Sequence, residues 1–183
     1  MPSDEAVRAA TRGWLERAVI GLNLCPFAKA VHAKGQVHYA VSAADSAAQV
    51  LDDLSHELDA LAASNPELRD TTLLMVPRCL DQFLEFNDVV SRGERMIRKR
   101  GLEGVIQLAS FHPAYCFADA AGDDVTNNSN RAPYPTLHLL RESSIDRAVS
   151  AFPDAAAIYG ANQATLRELG AQGWIALDVG PAR

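Results

Sequence analysis

The segment Thr71-Thr72-Leu73-Leu74-Met75-Val76 most narrows what this chain can become. A short, nearly continuous apolar run marks a strand buried on both faces. Pro77 ends it, because a proline cannot donate to a sheet ladder. On either side stand long helical patterns. Across 42–64, Val50, Leu51, Leu54, Leu58 and Leu61 form one stripe, stopped by Asn65-Pro66. Across 81–100, Leu84, Val89, Met96 and Ile97 supply the apolar positions, and Gly101 stands just past the end.

Two further strands frame this unit. Val37, Tyr39 and Val41 alternate within 36–41, and 105–111 is a third extended run. The order strand, helix, strand, helix, strand implies right-handed crossovers. The expected fold is a small α/β sandwich with a three- or four-stranded, mainly parallel sheet and an N-terminal helix. A ferredoxin-like α+β sheet is the alternative. At 183 residues the chain suffices for one well-buried core and is short for two, so 1–183 is expected to be a single domain.

The ends of the chain complete the pattern. Ser3 or Asp4 can cap a first helix carrying Val7, Ala10, Trp14, Ala18 and Leu22. Pro26 fits the first residue of a short helix over 26–32. Residues 137–141 read as a fourth strand or a helical start. Ser143 or Ser144 is expected to cap another helix. Pro153 opens a last one that ends near Gly170, with 175–183 as a loose tail.

Charge and cysteine content remove several classes of partner. The net charge is −6, which gives no general attraction to nucleic acid or to anionic membranes. The basic run Arg92, Arg95, Arg98, Lys99 and Arg100 closes a helix, where cations complement the carbonyl end of the dipole. No apolar run approaches the ~20 residues of a membrane span. Cys25, Cys79 and Cys116 are odd in number and widely spaced, which suits a reducing cytoplasm. The sequence names no oligomeric state and no cofactor. Phosphate-cradling glycine motifs of the GxGxxG or GxxxxGK[ST] type are absent.

In open parallel sheets ligands bind beyond the carboxyl ends of the strands. Ser42, Arg78 and His112 follow the three strands, and the stretch 112–135 leaves the same edge. Long connections without periodicity are usually functional or disordered. This one carries His112, Asp123, Asp124, Asn127, Asn128, Asn130 and Arg131, with His138 and Arg141 close behind. Asp and Asn also suit an ordinary turn-rich surface loop.

Cys25, between Leu24 and Pro26, is the sharpest local feature. At a helix N-cap its sulfur would face the amides of Ala28 and Lys29, which lowers a thiol pKa. A buried, inert cysteine is the competing reading. Metal ligation by His112, His138, Asp124 and a cysteine lacks the short paired spacing such sites show. The cluster of Asp123, Asp124, Asn127 and Asn128 lacks the alternation of an EF-hand loop.

Three blocks then resemble one family. They are Leu24-Cys25-Pro26-Phe27-Ala28, Ala109-Ser110-Phe111-His112-Pro113, and Asn130-Arg131-Ala132-Pro133-Tyr134-Pro135 running on to Leu137-His138-Leu139-Leu140-Arg141-Glu142. Together they are similar to the signature blocks of a bacterial family catalogued only as a domain of unknown function, over roughly 14–169. That family commonly has serine where this chain has Ala132, which implies that no hydroxyl is required there. The resemblance implies a family and brings no reaction, cofactor or catalytic residue.

The residues themselves point to an enzyme acting on a small anionic metabolite. Arg78, Arg131 and Arg141 would hold the anion, Asn127, Asn130 and His138 would contact ligand, and Cys25 and His112 would be nucleophile and general acid–base. The alternatives are a non-catalytic ligand-binding or interaction module and a metalloprotein. The catalytic reading requires Cys25, His112 and Arg131 to surround one hollow.

Overall fold

Ser3 accepts a hydrogen bond from the Ala6 amide and starts α1 (Asp4–Trp14), whose first turn carries Asp4 and Glu5 at the positive end of the dipole. The computed structural model describes residues 1–151 and 155–182. α1 continues into a π-helical turn, Leu15–Ile20. Gly21 follows it, and a Cβ there would meet the Arg17 carbonyl oxygen at 2.3 Å, so only glycine fits without a shift. A short helix α2 (Ala28–Ala33) leads to β1 (Val37–Val41).

The central pattern forms close to where its apolar periods place it. α3 is Ala47–Ala63, β2 is Thr71–Met75, α4 is Phe83–Lys99 and β3 is Ile106–Phe111. A 3-10 turn, Val125–Asn130, lies in the long connection to β4 (Thr136–Arg141). α5 is Glu142–Ala151 and α6 is Ala155–Ala176, broken at Gly170, where φ is +67°. The expected helix start at Pro153 lies outside the described residues. Ser143 and Ser144 do not cap α5. The helix begins at Glu142, and the Ser144 hydroxyl donates to Asp70 Oδ1 at 2.6 Å.

The sheet has the order β1-β2-β4-β3. β1 and β2 pair in parallel, while β4 runs antiparallel to both β2 and β3. The fold is a small α/β sandwich with an N-terminal helix, but its pairing departs from a mainly parallel sheet. Three strands point one way, yet β4 inserts between β2 and β3, so two of three neighbouring pairs are antiparallel. The chain order β-α-β-α-β-β also differs from the β-α-β-β-α-β plan of the ferredoxin-like alternative.

The two crossover helices occupy one face. Leu54, Leu58 and Leu61 of α3 and Phe86, Val89 and Ile97 of α4 pack on Leu74, Leu137, Leu139, Ile106 and Leu108. Burying each such side chain is worth about 1.5–3 kcal/mol. Gly93 lets α4 approach closely, since a Cβ there would lie 2.8 Å from both Leu54 and Leu108. The Arg141 guanidinium reaches back under α3 and donates to the Leu61 and Ser64 carbonyls at 2.6 and 2.7 Å, satisfying that helix end. At the neighbouring helix end, Arg100 from the basic run donates to the Ser55 carbonyl at 3.0 Å and pairs with Asp59.

The opposite face is covered differently. Val7 packs on Leu73, Met75 and Tyr134, and Trp14, Leu15, Ala18 and Val19 pack beside Phe111 and Val37. The end of the chain, expected to be loose, is tied in. Val179 is buried in the same cluster, and the Ala182 amide donates to the Tyr134 hydroxyl at 2.9 Å. No described helix is long and apolar enough to cross a membrane.

Candidate functional site

Strand alternation puts Thr71, Leu73 and Met75 of β2, Thr136, His138 and Leu140 of β4, and Phe111 of β3 on the face away from α3 and α4. The N-terminal helical layer and α5 cover that face without closing it. Between them lies a cavity of about 730 Å³. Its floor is Val37, Thr71, Leu73, Phe111, His138 and Leu140. One wall comes from Trp14, Leu15, Val19, Cys25, Phe27 and Val31, and the other from Ser144, Ile145 and Ala148 of α5. Gln36, Glu67 and Asp70 border the end near the start of β1 and β2.

This location differs from the carboxyl edge expected of a parallel sheet. Because β4 runs antiparallel, its last residues arrive at the amino ends of β1 and β2, with Thr71 opposite Leu140. α5 leaves from that edge and forms the second wall. The space thus arises from the one strand whose direction the pattern did not give.

His138 is the polar centre of the floor. Its Nε2 lies 2.7 Å from Thr71 Oγ1, and that oxygen lies 2.7 Å from the Leu139 carbonyl. A carbonyl only accepts, so the hydroxyl proton goes to Leu139 and the imidazole donates from Nε2. No donor among the described residues reaches Nδ1. Burial pulls the pKa of His138 down to about 4, so the ring is neutral at physiological pH and Nδ1 presents a lone pair. Trp14 and Phe111 meet edge-on with centroids 5.0 Å apart, and Phe111 lies 5.9 Å from the His138 ring. The three rings follow one another along the cavity lining, tilted to each other.

A second polar group stands at the cavity end. Asp70 is 6% exposed and accepts from the Ser144 hydroxyl, which in turn accepts from Arg147 at 2.9 Å. Lys34 and Arg147 are exposed lining residues, with Glu67 also exposed among them.

Cys25 borders this cavity, but its environment differs from the expected N-cap. α2 begins at Ala28 rather than Pro26, the Ala28 amide donates to the Cys25 carbonyl at 3.2 Å, and the amides of Phe27 and Ala28 favour a thiolate on the nearby sulfur. Burial outweighs them and raises the pKa. The expected lowering does not occur.

His112 lies elsewhere. It is 1% exposed, between Phe83 and Phe86. The Ala114 amide donates to Nδ1 at 3.0 Å, so Nε2 carries the proton and donates to the Leu80 carbonyl at 2.9 Å. Both nitrogens are occupied. Burial lowers its pKa and keeps it neutral. Leu80 has φ of +65°, an uncommon backbone state for a side-chain-bearing residue, which this bond helps to fix.

The other residues expected to contact ligand make bonds within the fold, to different degrees. Arg131 donates from Nε to the Tyr115 carbonyl at 3.0 Å and from a terminal nitrogen to the Gly122 carbonyl at 2.7 Å. It lines a second groove of about 720 Å³ beside α6. Asn127 is fully buried, accepts from the Phe117 amide at 3.0 Å and donates to the Ala121 carbonyl at 2.8 Å. Asn130 accepts the His112 amide on its backbone carbonyl at 3.1 Å. Arg78 is exposed, donates to the Ala43 carbonyl at 3.3 Å and lines neither hollow. Arg141 lines the first cavity, with Nη2 turned to α3 as described and Nε without a partner. Cys25, His112 and Arg131 therefore surround no common hollow; of the expected set, Cys25, His138 and Arg141 share one. Among the described residues no three His, Cys, Asp or Glu side chains gather so as to hold a metal ion.

Thr71, Asp70, Trp14 and Phe111 were not singled out from sequence as site residues. A signal existed for two of them: Asp70 and Thr71 are polar residues leading into an apolar strand, where burial requires partners.

The chain belongs to the family described as protein of unknown function (DUF1415), whose profile matches residues 6–176. Neither the curated proteins nor the solved structures contain a match to it.

Proposed function

We propose that this chain binds a small organic molecule in the cavity on the open face of its sheet, with His138 as the polar anchor. One observation carries the reading: a neutral imidazole on an apolar floor offers Nδ1 without a protein donor. Ligand sites are typically concave, largely apolar and furnished with few convergent polar groups. The volume of about 730 Å³ falls in the range of such sites.

The binding reading stands ahead of the enzyme acting on a small anionic metabolite. Catalysis by Cys25 needs an ionised sulfur, and burial raises its pKa. Of the arginines assigned to an anion, Arg131 and Arg141 give donors to backbone carbonyls, and Arg78 and Arg131 lie outside this cavity. Binding needs no ionisation and uses His138 as it stands. Three free cysteines support a reducing cytoplasmic setting.

The test is titration with cinnamyl alcohol, followed by Trp14 fluorescence in a Trp174→Phe background and by thermal shift. Saturable quenching with a rise in Tm is expected, and Ala148→Phe, which fills the cavity from α5 without adding a fluorophore that competes with Trp14, should abolish both. Binding that survives Ala148→Phe unchanged would place the ligand elsewhere.

A further inference from the structure

We infer that the ligand of this cavity is a flat aromatic molecule with a hydroxyl or amino donor at its inner end and an anionic group at its outer end. The inference rests on the binding reading above and assigns the chemistry of the occupant. Three separate features of the cavity fix the three parts of that molecule.

The body is set by the aromatic surface. Trp14, Phe111 and His138 follow one another at centroid separations of 5.0 and 5.9 Å. A flat ring packs on aromatic side chains by edge or offset contact. Leu73, Leu140 and Val37 extend the floor without adding a polar atom to satisfy.

The inner end is set by an acceptor. Arg141 also borders the cavity, with Nη2 bonded to α3 carbonyls and Nε without a partner. The Nε2 proton of His138 is committed to Thr71, which leaves only the Nδ1 lone pair on the cavity floor. A lone pair accepts from a donor and repels an anion. The inner group of the ligand is therefore a hydroxyl or amino group that gives its proton to Nδ1.

The outer end is set by charge. Lys34 and Arg147 are exposed where they line the cavity and, with Arg141, outnumber the two lining carboxylates, Glu67 and the Asp70 that Ser144 joins to Arg147. Arg147 is held by the Ser144 hydroxyl, and the guanidinium keeps further donors free for a carboxylate or phosphate. Solvent screens these contacts, so they contribute less than the inner hydrogen bond and weaken with salt.

Three probes separate the parts: para-hydroxycinnamate, cinnamate without the hydroxyl, and the methyl ester of para-hydroxycinnamate without the charge. Calorimetric titration of the full chain should give the tightest Kd for para-hydroxycinnamate. Loss of the hydroxyl should weaken binding about tenfold, the ratio one well-placed hydrogen bond supports. Esterification should weaken it about threefold at low salt and little at high salt. In His138→Phe the hydroxyl advantage should vanish, and in Lys34→Ala/Arg147→Ala the carboxylate advantage should vanish. Equal affinity for all three probes in the unsubstituted protein would overturn this inference and leave the cavity reading standing. Binding by none of them, with cinnamyl alcohol also failing, would overturn both. The probe comparison needs no variant, so it decides the matter even if His138→Phe does not fold.

Discussion

Thr71 Oγ1 stands 2.7 Å from His138 Nε2 and 2.7 Å from the Leu139 carbonyl, so one hydroxyl fixes the tautomer of the imidazole beside it. β2 and β4 pair with Leu73 opposite His138, which sets Thr71, two residues along β2 on the same face, diagonally beside the ring. The sheet register thus decides which nitrogen of the ring is offered to the cavity.

The first expectation concerns that tautomer. Nitrogen-15 spectra of labelled protein should show His138 protonated on Nε2 and bare on Nδ1 across neutral pH. Thr71→Val removes the acceptor and leaves a donor buried, at a cost of about 1–3 kcal/mol in unfolding free energy. A His138 resonance pattern with the proton on Nδ1 would contradict the assignment.

Acid should weaken the fold through the same ring. His138 has a folded pKa of about 4, against ~6.5 for a free imidazole. The unfolded chain therefore takes up this proton first as pH falls. The contribution is complete above ~6.5 and is lost as pH falls toward 4, by up to ~1.4 kcal/mol per pH unit. His112 and His38 are shifted in the same direction, so the test is a difference. The stability gap between the unsubstituted protein and His138→Gln should narrow as pH drops from 7 to 4, by about 3 kcal/mol in all. A constant gap would sink the claim that His138 is desolvated and neutral.

His112 should behave as a structural residue. His112→Ala strands the Leu80 carbonyl and the Ala114 amide and vacates space between Phe83 and Phe86. A loss of about 2–4 kcal/mol is expected by chemical denaturation. Once folded, the variant should bind cinnamyl alcohol within about twofold of the parent protein, since no imidazole atom reaches that cavity. Full stability with lost binding would restore the functional role.

Cys25 should react slowly. With Cys79 and Cys116 replaced by serine, iodoacetamide at neutral pH should alkylate Cys25 more slowly than an unstructured peptide thiol, because burial raises its pKa. A rate above that of the peptide would show a thiolate that the surrounding apolar packing does not permit.

Local pattern carried much of the architecture. The stripe Val50, Leu51, Leu54, Leu58 and Leu61 is the buried face of α3, and the run at 71–76 is the buried strand β2 and its exit. Those features depend on residues within a turn or two of each other, so spacing alone expresses them. Tertiary structure decided the rest. Nothing near 136–141 states that β4 will enter between β2 and β3 in reverse, because that choice is made by hydrogen bonds to residues more than sixty positions away. The reversal moved the hollow from the carboxyl edge to the amino ends of β1 and β2. It also separated two histidines of equal promise. His112, just past β3, found backbone partners for both nitrogens, while His138 found one threonine and kept a lone pair facing the open side of the sheet. Residue type and spacing set what each imidazole could do; long-range pairing and desolvation set which one was left free to do it.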